Sequence, residues 1–146
     1  MAGDPGPRAF LDTNVLFSGI YSPHGPPGVV LERFGRGDFI VVVSQHVLGE
    51  LVWVFQEKLP AGLAALQGLL LNSGLQIVPD PPLAAATARF AMLDPEDAVI
   101  LEAAVAAHVD FFVTGDSHFL EDLAVSGKYG LTILTPPQFL ARLDRP

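Results

Sequence analysis

Short apolar segments alternate with segments of helical periodicity along the whole chain, and this alternation limits the fold more than any other feature of the sequence. Residues 39–43 (FIVVV) are continuously apolar and rich in β-branched side chains, which is typical of a strand covered on both faces. Strands that alternate with helices predict an α/β layer fold around a mainly parallel sheet with right-handed crossovers. The predicted strands span residues 8–11, 39–43, 75–78, 110–114 and 131–134. The predicted helices span residues 15–20, 27–34, 45–58, 61–72, 83–92, 95–108, 117–125 and 136–143.

The length and composition fit one domain. The chain has 146 residues, of which 50% are apolar, enough for a sizeable core in a single domain spanning residues 1–146. Residues 1–7 lack the basic and apolar regions of a signal peptide, and we expect them to form a flexible lead-in. No apolar run is long enough to span a membrane. The absence of cysteine excludes disulfides and thiolate metal sites, and it fits a cytoplasmic protein.

The charge balance is acidic. Eight Lys and Arg residues stand against 16 Asp and Glu residues, which gives a formal net charge of −8 at pH 7. This argues against a broad basic surface for phosphate binding, but not against a site where bound divalent cations meet the phosphate. The acidity also makes a small basic partner plausible.

Four acidic residues fall near the same edge of the predicted sheet. In a parallel sheet every strand-to-helix junction emerges at the carboxyl edge, so residues far apart in sequence become neighbours there. Asp12 ends the first strand, Asp116 follows the fourth, and Asp97 opens the helix that leads into the fourth. Glu50 lies early in the helix after the second strand, at the margin of its apolar arc, where its carboxylate points partly inward. A slightly different helix boundary would put it on the surface instead.

Converging carboxylates need a compensating charge, because each raises the pKa of the others and burial disfavours the charged form. Hard cations such as Mg²⁺ and Mn²⁺ prefer oxygen ligands and bind between carboxylates and a phosphate. Such an ion can activate water and stabilise a leaving oxygen, so phosphodiester hydrolysis is the expected reaction. The expected metal ligands and catalytic residues are Asp12, Glu50, Asp97 and Asp116.

The same acids lie in short motifs that follow one another in order along the chain. The motifs are LDTNVL (11–16), SPHGPP (22–27), the helix with Glu50, DPED (94–97), VTGD (113–116) and ILTP (133–136). At these motifs the chain resembles PIN-domain proteins, and in particular the bacterial and archaeal branch described as toxins of toxin–antitoxin pairs. The resemblance spans nearly the whole chain, and the ordered set is more specific than any one fragment.

The resemblance implies a three-layer α/β/α sandwich with a central, mainly parallel five-stranded sheet and an acidic Mg²⁺ or Mn²⁺ pocket. It also implies cleavage of single-stranded or structured RNA that leaves a 5′-phosphate, with a protein antitoxin as a candidate partner and a homodimer or higher oligomer as the usual assembly. The low Lys and Arg content departs from the family and leaves the RNA-binding groove unidentified. The residues that would hold carboxylates or a bound water by hydrogen bonds are Thr13, Asn14, Thr114 and Ser117.

Each of three acids also has a purely structural explanation. Asp12 alone could be a helix N-cap, and Asp116 alone could be a turn residue or a cap. Asp97 competes with Asp94 and Glu96, since all three can serve the positive end of a helix dipole. Asp94 is the better cap, whereas Asp97 directly precedes an apolar run and is the better ligand.

Three functions are open from the sequence. The leading hypothesis is a metal-dependent ribonuclease, acting as the toxin of a pair or in RNA processing. The second is a catalytically silent PIN-like module that binds RNA or protein, which retention of all four acids disfavours. The third is a phosphatase of the haloacid-dehalogenase type, which also has Asp at the end of its first strand. That chemistry requires a second Asp two residues later, where this chain has Asn14.

Overall fold

The computed structural model describes residues 5–120 and 129–145, in which strands and helices alternate. The strands are β1 (Arg8–Leu11), β2 (Ile40–Ser44), β3 (Leu75–Val78), β4 (Phe111–Val113) and β5 (Thr132–Leu134). The helices are α1 (Thr13–Tyr21), α2 (Pro26–Gly35), α3 (Gln45–Lys58), α4 (Leu63–Leu70), α5 (Leu83–Arg89), α6 (Pro95–Ala106), α7 (Ser117–Leu120) and α8 (Pro136–Leu143). Residues 1–4 of the predicted lead-in and residues 121–125 of the predicted helix 117–125 lie outside the described residues.

The five strands form one sheet in the order β3-β2-β1-β4-β5, and every neighbouring pair is parallel. The predicted parallel sheet is therefore confirmed, and helices flank it in the α/β/α arrangement. β1 lies at the centre, with Leu11 in register with Val113 of β4. Because all strands run the same way, the residues that follow β1, β2 and β4 emerge at one edge.

Apolar side chains cover the sheet on both faces, as the sequence of β2 predicts. Val41, Val42 and Val43 are all buried, although consecutive side chains on a strand point to opposite faces. In the neighbouring central strands, the rings of Phe10 and Phe112 stack with centroids 5.3 Å apart. None of the helices in the described residues is both long and apolar enough to cross a membrane.

Three helices are shorter than the sequence pattern indicates: the predicted helix 95–108 ends at Ala106, and two others differ more. The predicted helix 61–72 starts as a 3₁₀ turn, Pro60–Gly62, and its α-helical part ends at Leu70. The predicted helix 83–92 ends at Arg89, since Phe90 leaves the helical conformation. Apolar periodicity continues past both ends, so the pattern alone could not show where the backbone turns.

Side-chain caps mark where α3 and α8 begin, whereas α6 begins without one. The hydroxyl oxygen of Ser44 accepts a hydrogen bond from the amide of Val47, so Ser44 closes β2 and caps α3. Helix α8 begins with a capping box formed by Thr135 and Gln138, a signature that the sequence analysis did not use. Asp94 occupies the N-cap position of α6, but its carboxylate makes no capping hydrogen bond, so the predicted cap is right in position only.

The described end of the lead-in is attached to the chain before β2. The carbonyl of Pro7 accepts a hydrogen bond from the amide of Ile40 at 2.9 Å. Gly6 has a φ of +79°, and a Cβ at this position would overlap the carbonyl oxygen of Asp38, so only glycine fits. Because Gly6 and Pro7 are packed in this way, the expected flexible segment does not include them.

A partly buried ion pair joins α5 to α6, the helix that carries Asp97. Glu102 is only 7% exposed, and its Oε2 lies 2.6 Å from Nε of Arg89. The contact is ionic rather than a well-aligned hydrogen bond. The same guanidinium group lies over the ring of Tyr129, 5.2 Å from its centroid. Arg89 therefore neutralises a carboxylate that α6 would otherwise bury alone.

Arg89→Met is expected to lower the free energy of unfolding by about 2 kcal/mol, because it leaves the buried Glu102 carboxylate without its cation. The loss is smaller than for a fully buried pair, since the Arg89 side chain is 43% exposed. Urea denaturation followed by circular dichroism measures it. The matched control is Arg36→Met on the surface of α2, which should cost less than about 0.5 kcal/mol. Equal losses in the two variants would contradict this role for Arg89.

Candidate active site

Asp12 is buried at the junction of β1 and α1. It directly follows β1, caps α1 through a hydrogen bond from the Thr13 amide to Oδ1 (2.8 Å), and is only 5% exposed. Its Oδ2 accepts hydrogen bonds from the hydroxyl of Thr114 at 2.8 Å and from Nδ2 of Asn14 at 3.1 Å. The side chain that caps α1 is therefore also one of the predicted site residues, and three donors fix its orientation.

Thr114 and Asn14 tie the end of β4 to the start of α1. The buried Thr114 hydroxyl, besides donating to Asp12, accepts a hydrogen bond from the amide of Asp116 at 2.9 Å. Asn14 accepts a hydrogen bond on Oδ1 from the amide of Gly115, also at 2.9 Å. These contacts set the course of the turn that holds Asp116. The two residues thus hydrogen-bond to Asp12 and to the backbone of the turn that carries Asp116.

Glu50 faces the same junction from α3. The hydroxyl of Thr13 donates a hydrogen bond to Oε1 of Glu50 at 2.8 Å, and the glutamate is half-buried. The alternative that Glu50 lies free on the surface therefore does not describe this structure. Thr13 connects Glu50 to Asp12 through its backbone amide and its hydroxyl, one hydrogen bond to each carboxylate.

One cavity of about 290 Å³ joins the four predicted acids at the carboxyl edge of the sheet. Asp97, in the first turn of α6, lines this cavity, whereas Glu96 lines a different one beside His46. The structure thus separates Asp97 from its two competitors, because Asp94 lines neither. The polar and charged residues around the cavity are Asp12, Thr13, Asn14, Glu50, Lys58, Asp97 and Asp116.

Sequence reasoning missed Lys58 and the apolar wall of this cavity, which consists of Phe17, Val54 and Ile100. A signal existed for two of them: Val54 and Lys58 follow Glu50 by four and eight residues on one face of α3. Among the residues predicted to support the site, Thr13, Asn14 and Thr114 make the contacts described above. The side chain of Ser117 lies outside what the structure describes.

Burial raises the pKa of Asp12 to about 6. Loss of solvent is the largest cause, and the nearby charges of Glu50 and Asp116 add to it. The hydrogen bonds from Thr114 and from the Thr13 amide act in the opposite direction and lower the pKa, but they do not offset burial. Ionised Asp12 therefore costs the folded chain free energy, and a nearby positive charge would remove that cost.

The described donor set fits a hard divalent cation. Among the described residues that line the cavity, the possible ligands are carboxylate, amide and hydroxyl oxygens, with no sulfur and no histidine. Within residues 5–120 and 129–145, however, no group of three or more acidic or histidine side chains is close enough to hold an ion with the side chains as they lie. Side-chain rotation would have to bring the carboxylates together, and Glu50 would have to leave or share its bond to Thr13.

In chelator-containing buffer, the chain is expected to be more stable at pH 5 than at pH 8. The folded-state pKa of Asp12, about 6, lies above its ordinary value of 3.8, so the folded chain binds the extra proton. The resulting stabilisation is complete below the unfolded pKa and is lost as the pH rises through about 6, which amounts to roughly 1 kcal/mol between pH 5 and pH 8. Urea unfolding of the native chain and of Asp12→Asn at both pH values isolates the contribution, because the variant lacks this carboxyl group. The same pH dependence in both proteins would show that Asp12 does not titrate in this way.

A larger cavity, of about 430 Å³, lies at the opposite edge of the sheet and is basic. Arg33, Arg142 and Arg145 line it, together with residues that precede β1 and β2. Arg33 is already paired with Asp38 and Asp144, which neutralise much of its charge. Size alone would select this cavity, but it lacks the convergent carboxylates, so the smaller one is the candidate active site.

The fold and the site together define a parallel α/β protein with an acidic cavity at the carboxyl edge of its sheet. The sequence pattern of the PIN domain family matches residues 8–118, a range that contains all four acids, and the chain belongs to that family. No curated protein matches the chain in sequence.

Solved structures share the fold at low sequence identity. One is a chain of VapBC2 from Rickettsia felis, in a structure with a DNA fragment from the VapBC2 promoter. It has a TM-score of 0.65 and 18% identity over 88% of this chain and 98% of that one. PAE2754 from Pyrobaculum aerophilum has a TM-score of 0.67 and 16% identity over 93% and 88%. FitAcB from Neisseria gonorrhoeae has a TM-score of 0.60 and 21% identity over 88% and 97%. These similarities show that the chain has the fold of these proteins.

Proposed function

We propose that the chain is a metal-dependent endoribonuclease that hydrolyses RNA phosphodiester bonds. One observation carries the proposal: four carboxylates from four separate segments line a single cavity in a member of the PIN domain family, whose domains are generally nucleases. A structural role for each acid separately would not bring Asp12, Glu50, Asp97 and Asp116 around the same space.

The residues around the cavity would have two roles, metal binding and orientation of the metal ligands. Asp12, Glu50, Asp97 and Asp116 would hold Mg²⁺ or Mn²⁺, which when bound would supply Lewis acidity and positive charge for the phosphate. Thr114 and Asn14 keep Oδ2 of Asp12 oriented, and Thr13 does the same for Glu50. Phe17, Val54 and Ile100 would lower the polarity around the carboxylates, which would strengthen the electrostatic interactions of the site.

The proposal includes a biological setting. The resemblance to toxins of toxin–antitoxin pairs, together with the shared fold of VapBC2 and FitAcB, supports a role as the toxin of such a pair with a protein antitoxin as partner. A homodimer or higher oligomer and a cytoplasmic location belong to the same proposal. The net charge of −8 is consistent with a basic partner segment.

The test is cleavage of RNA by the purified native chain. Cleavage in Mn²⁺ or Mg²⁺, its loss in EDTA, its return when metal is added in excess, and products that carry a 5′-phosphate are the expected results. The activity should co-elute with the chain in two different chromatographic steps, which separates it from a contaminating ribonuclease. Absence of cleavage under all metal conditions, with RNA still bound, would instead favour the catalytically silent binding module.

A further inference from the structure

A row of aromatic rings leads from the core through the wall of the candidate active site to the surface. Phe55 is buried, and its ring centroid lies 5.0 Å from that of Phe17, which lines the cavity. Phe17 stacks in turn on Tyr21, with centroids 5.9 Å apart and planes inclined by 15°. Tyr21 is 65% exposed at the end of α1. The cavity is therefore continuous with an aromatic surface that is already held by ring contacts.

Lys58 brings a positive charge to the same cavity. It is the last residue of α3 and lies on the helix face that also carries Glu50 and Val54. In the part of the chain that the structure describes, Lys58 is the only basic residue that lines the cavity, and it forms no ion pair there. Its ammonium group could simply offset the carboxylates, or it could bind a phosphate of the substrate.

The combination of stacking rings, a cation and carboxylates suits one class of ligand. Single-stranded nucleic acids are bound by aromatic side chains that stack on bases and by cations that contact the backbone. Base faces are accessible in single strands, whereas a duplex keeps them stacked inside. An exposed ring alone would also suit a protein partner, but a protein segment gives no reason for a cation at the edge of an otherwise acidic cavity.

We propose that Tyr21 and Lys58 form the substrate entry of the site, where a base of single-stranded RNA stacks on Tyr21 and a neighbouring phosphate contacts Lys58. The inference rests on the proposed ribonuclease function and deepens it by assigning the two residues that would hold a single strand at the entrance of the site. Neither residue is placed among the metal ligands, so their loss should weaken substrate binding and leave the chemical step unchanged.

The kinetic test uses a single-stranded RNA of about 12 nucleotides and the same strand annealed to its complement. Tyr21→Ala and Lys58→Gln should each raise KM roughly tenfold with kcat within about twofold of native, and Tyr21→Phe and Lys58→Arg should stay close to native. The duplex should be cleaved poorly by all of them. In Lys58→Gln the slope of log KM against log salt concentration should fall by about 0.7, as expected for one lost phosphate contact to a single strand.

The controls separate this proposal from the ribonuclease function itself. Trp53→Ala removes an aromatic ring on α3 that is 60% exposed and lies outside the cavity lining. Arg36→Gln removes an exposed cation directly after α2. Both should keep the native KM. If the chain cleaves RNA but Tyr21→Ala and Lys58→Gln keep the native KM, or the controls raise it equally, the entry proposal is wrong while the nuclease stands. Unchanged RNA affinity in Tyr21→Ala would exclude base stacking on this ring and would favour a protein partner as its ligand.

A chain that does not cleave still tests the entry. Fluorescence anisotropy with the same labelled single strand then measures affinity directly, and the two variants should weaken it roughly tenfold while the controls do not. No binding of the single strand by the native chain would overturn both proposals. Tyr21 and Lys58 are exposed, so thermal unfolding of each variant should match the native chain and confirm that the fold is intact.

Discussion

Asp116→Asn is expected to lower the rate of RNA cleavage by more than about a hundredfold, which exceeds the loss typical of residues that only support a metal ligand. The substitution keeps the size of the side chain but removes a carboxylate that lines the candidate active site. Asp97→Asn should have a similar effect from the opposite side of the cavity. Single-turnover cleavage of labelled RNA in Mn²⁺ measures both, since it separates the chemical step from product release.

The matched control is Asp94→Asn, three residues before Asp97 on the same turn of the chain. Asp94 is exposed and its carboxylate makes no capping hydrogen bond, so the variant should keep nearly native activity. Circular dichroism should show that all three variants are folded. Retained cleavage in Asp116→Asn and Asp97→Asn, or equal loss in Asp94→Asn, would mean that the cavity acids do not act as a site.

Thr114→Val is expected to lower activity by about 10- to 100-fold and the free energy of unfolding by about 2 kcal/mol. Valine has nearly the same shape as threonine, but it removes a fully buried hydroxyl that donates to Asp12 and accepts from the amide of Asp116. Both partners would then lose this contact, and the Asp12 carboxylate that loses it is buried. Urea denaturation and the cleavage assay at saturating metal measure the two effects.

Thr114→Ser retains the hydroxyl and loses only a methyl group, so its activity should stay within about threefold of native even though it is somewhat less stable. The pair therefore separates the hydrogen bonds of Thr114 from its packing. If the serine variant lost as much activity as the valine variant, packing at the end of β4 would be the cause, and the hydroxyl would have no role in orienting Asp12.

The presence and the parallel direction of the strands could be predicted because each strand carries a distinct pattern, whereas their order in the sheet was not predicted. β2 is continuously β-branched and lies inside a parallel sheet, and the same topology brings Asp12, Asp97 and Asp116 to one edge. These inferences depend on backbone direction and residue type, which the sequence states directly.

Other features depend on three-dimensional contacts that sequence periodicity does not encode. The early end of α5 at Arg89 lies within an apolar pattern that continues, and the pairing of Arg89 with Glu102 joins two helices. Lys58 was missed because a basic residue at the end of a helix is usually explained by the helix dipole. Its place at the cavity depends on how α3 packs near α1, which only the structure shows.

The site combines catalytic suitability with a cost in stability. Burial raises the pKa of Asp12 to about 6. At neutral pH the carboxylate is nevertheless ionised, and keeping this charge buried lowers the stability of the folded chain. A bound divalent ion would convert this cost into a favourable interaction. Metal binding should therefore stabilise the fold, and Mn²⁺ should raise the unfolding temperature of the native chain more than that of Asp12→Asn.

The most direct measurement is an anomalous difference map from crystals of the native chain grown with Mn²⁺. We predict a strong peak inside the cavity between Asp12 and Asp116, with carboxylate oxygens about 2.0–2.2 Å away, as small hard divalent ions require. Glu50 or Asp97 should complete the coordination directly or through water. Well-ordered carboxylates around a cavity without a peak, while Mn²⁺ occupies acids elsewhere on the surface, would contradict a metal-dependent active site at this position.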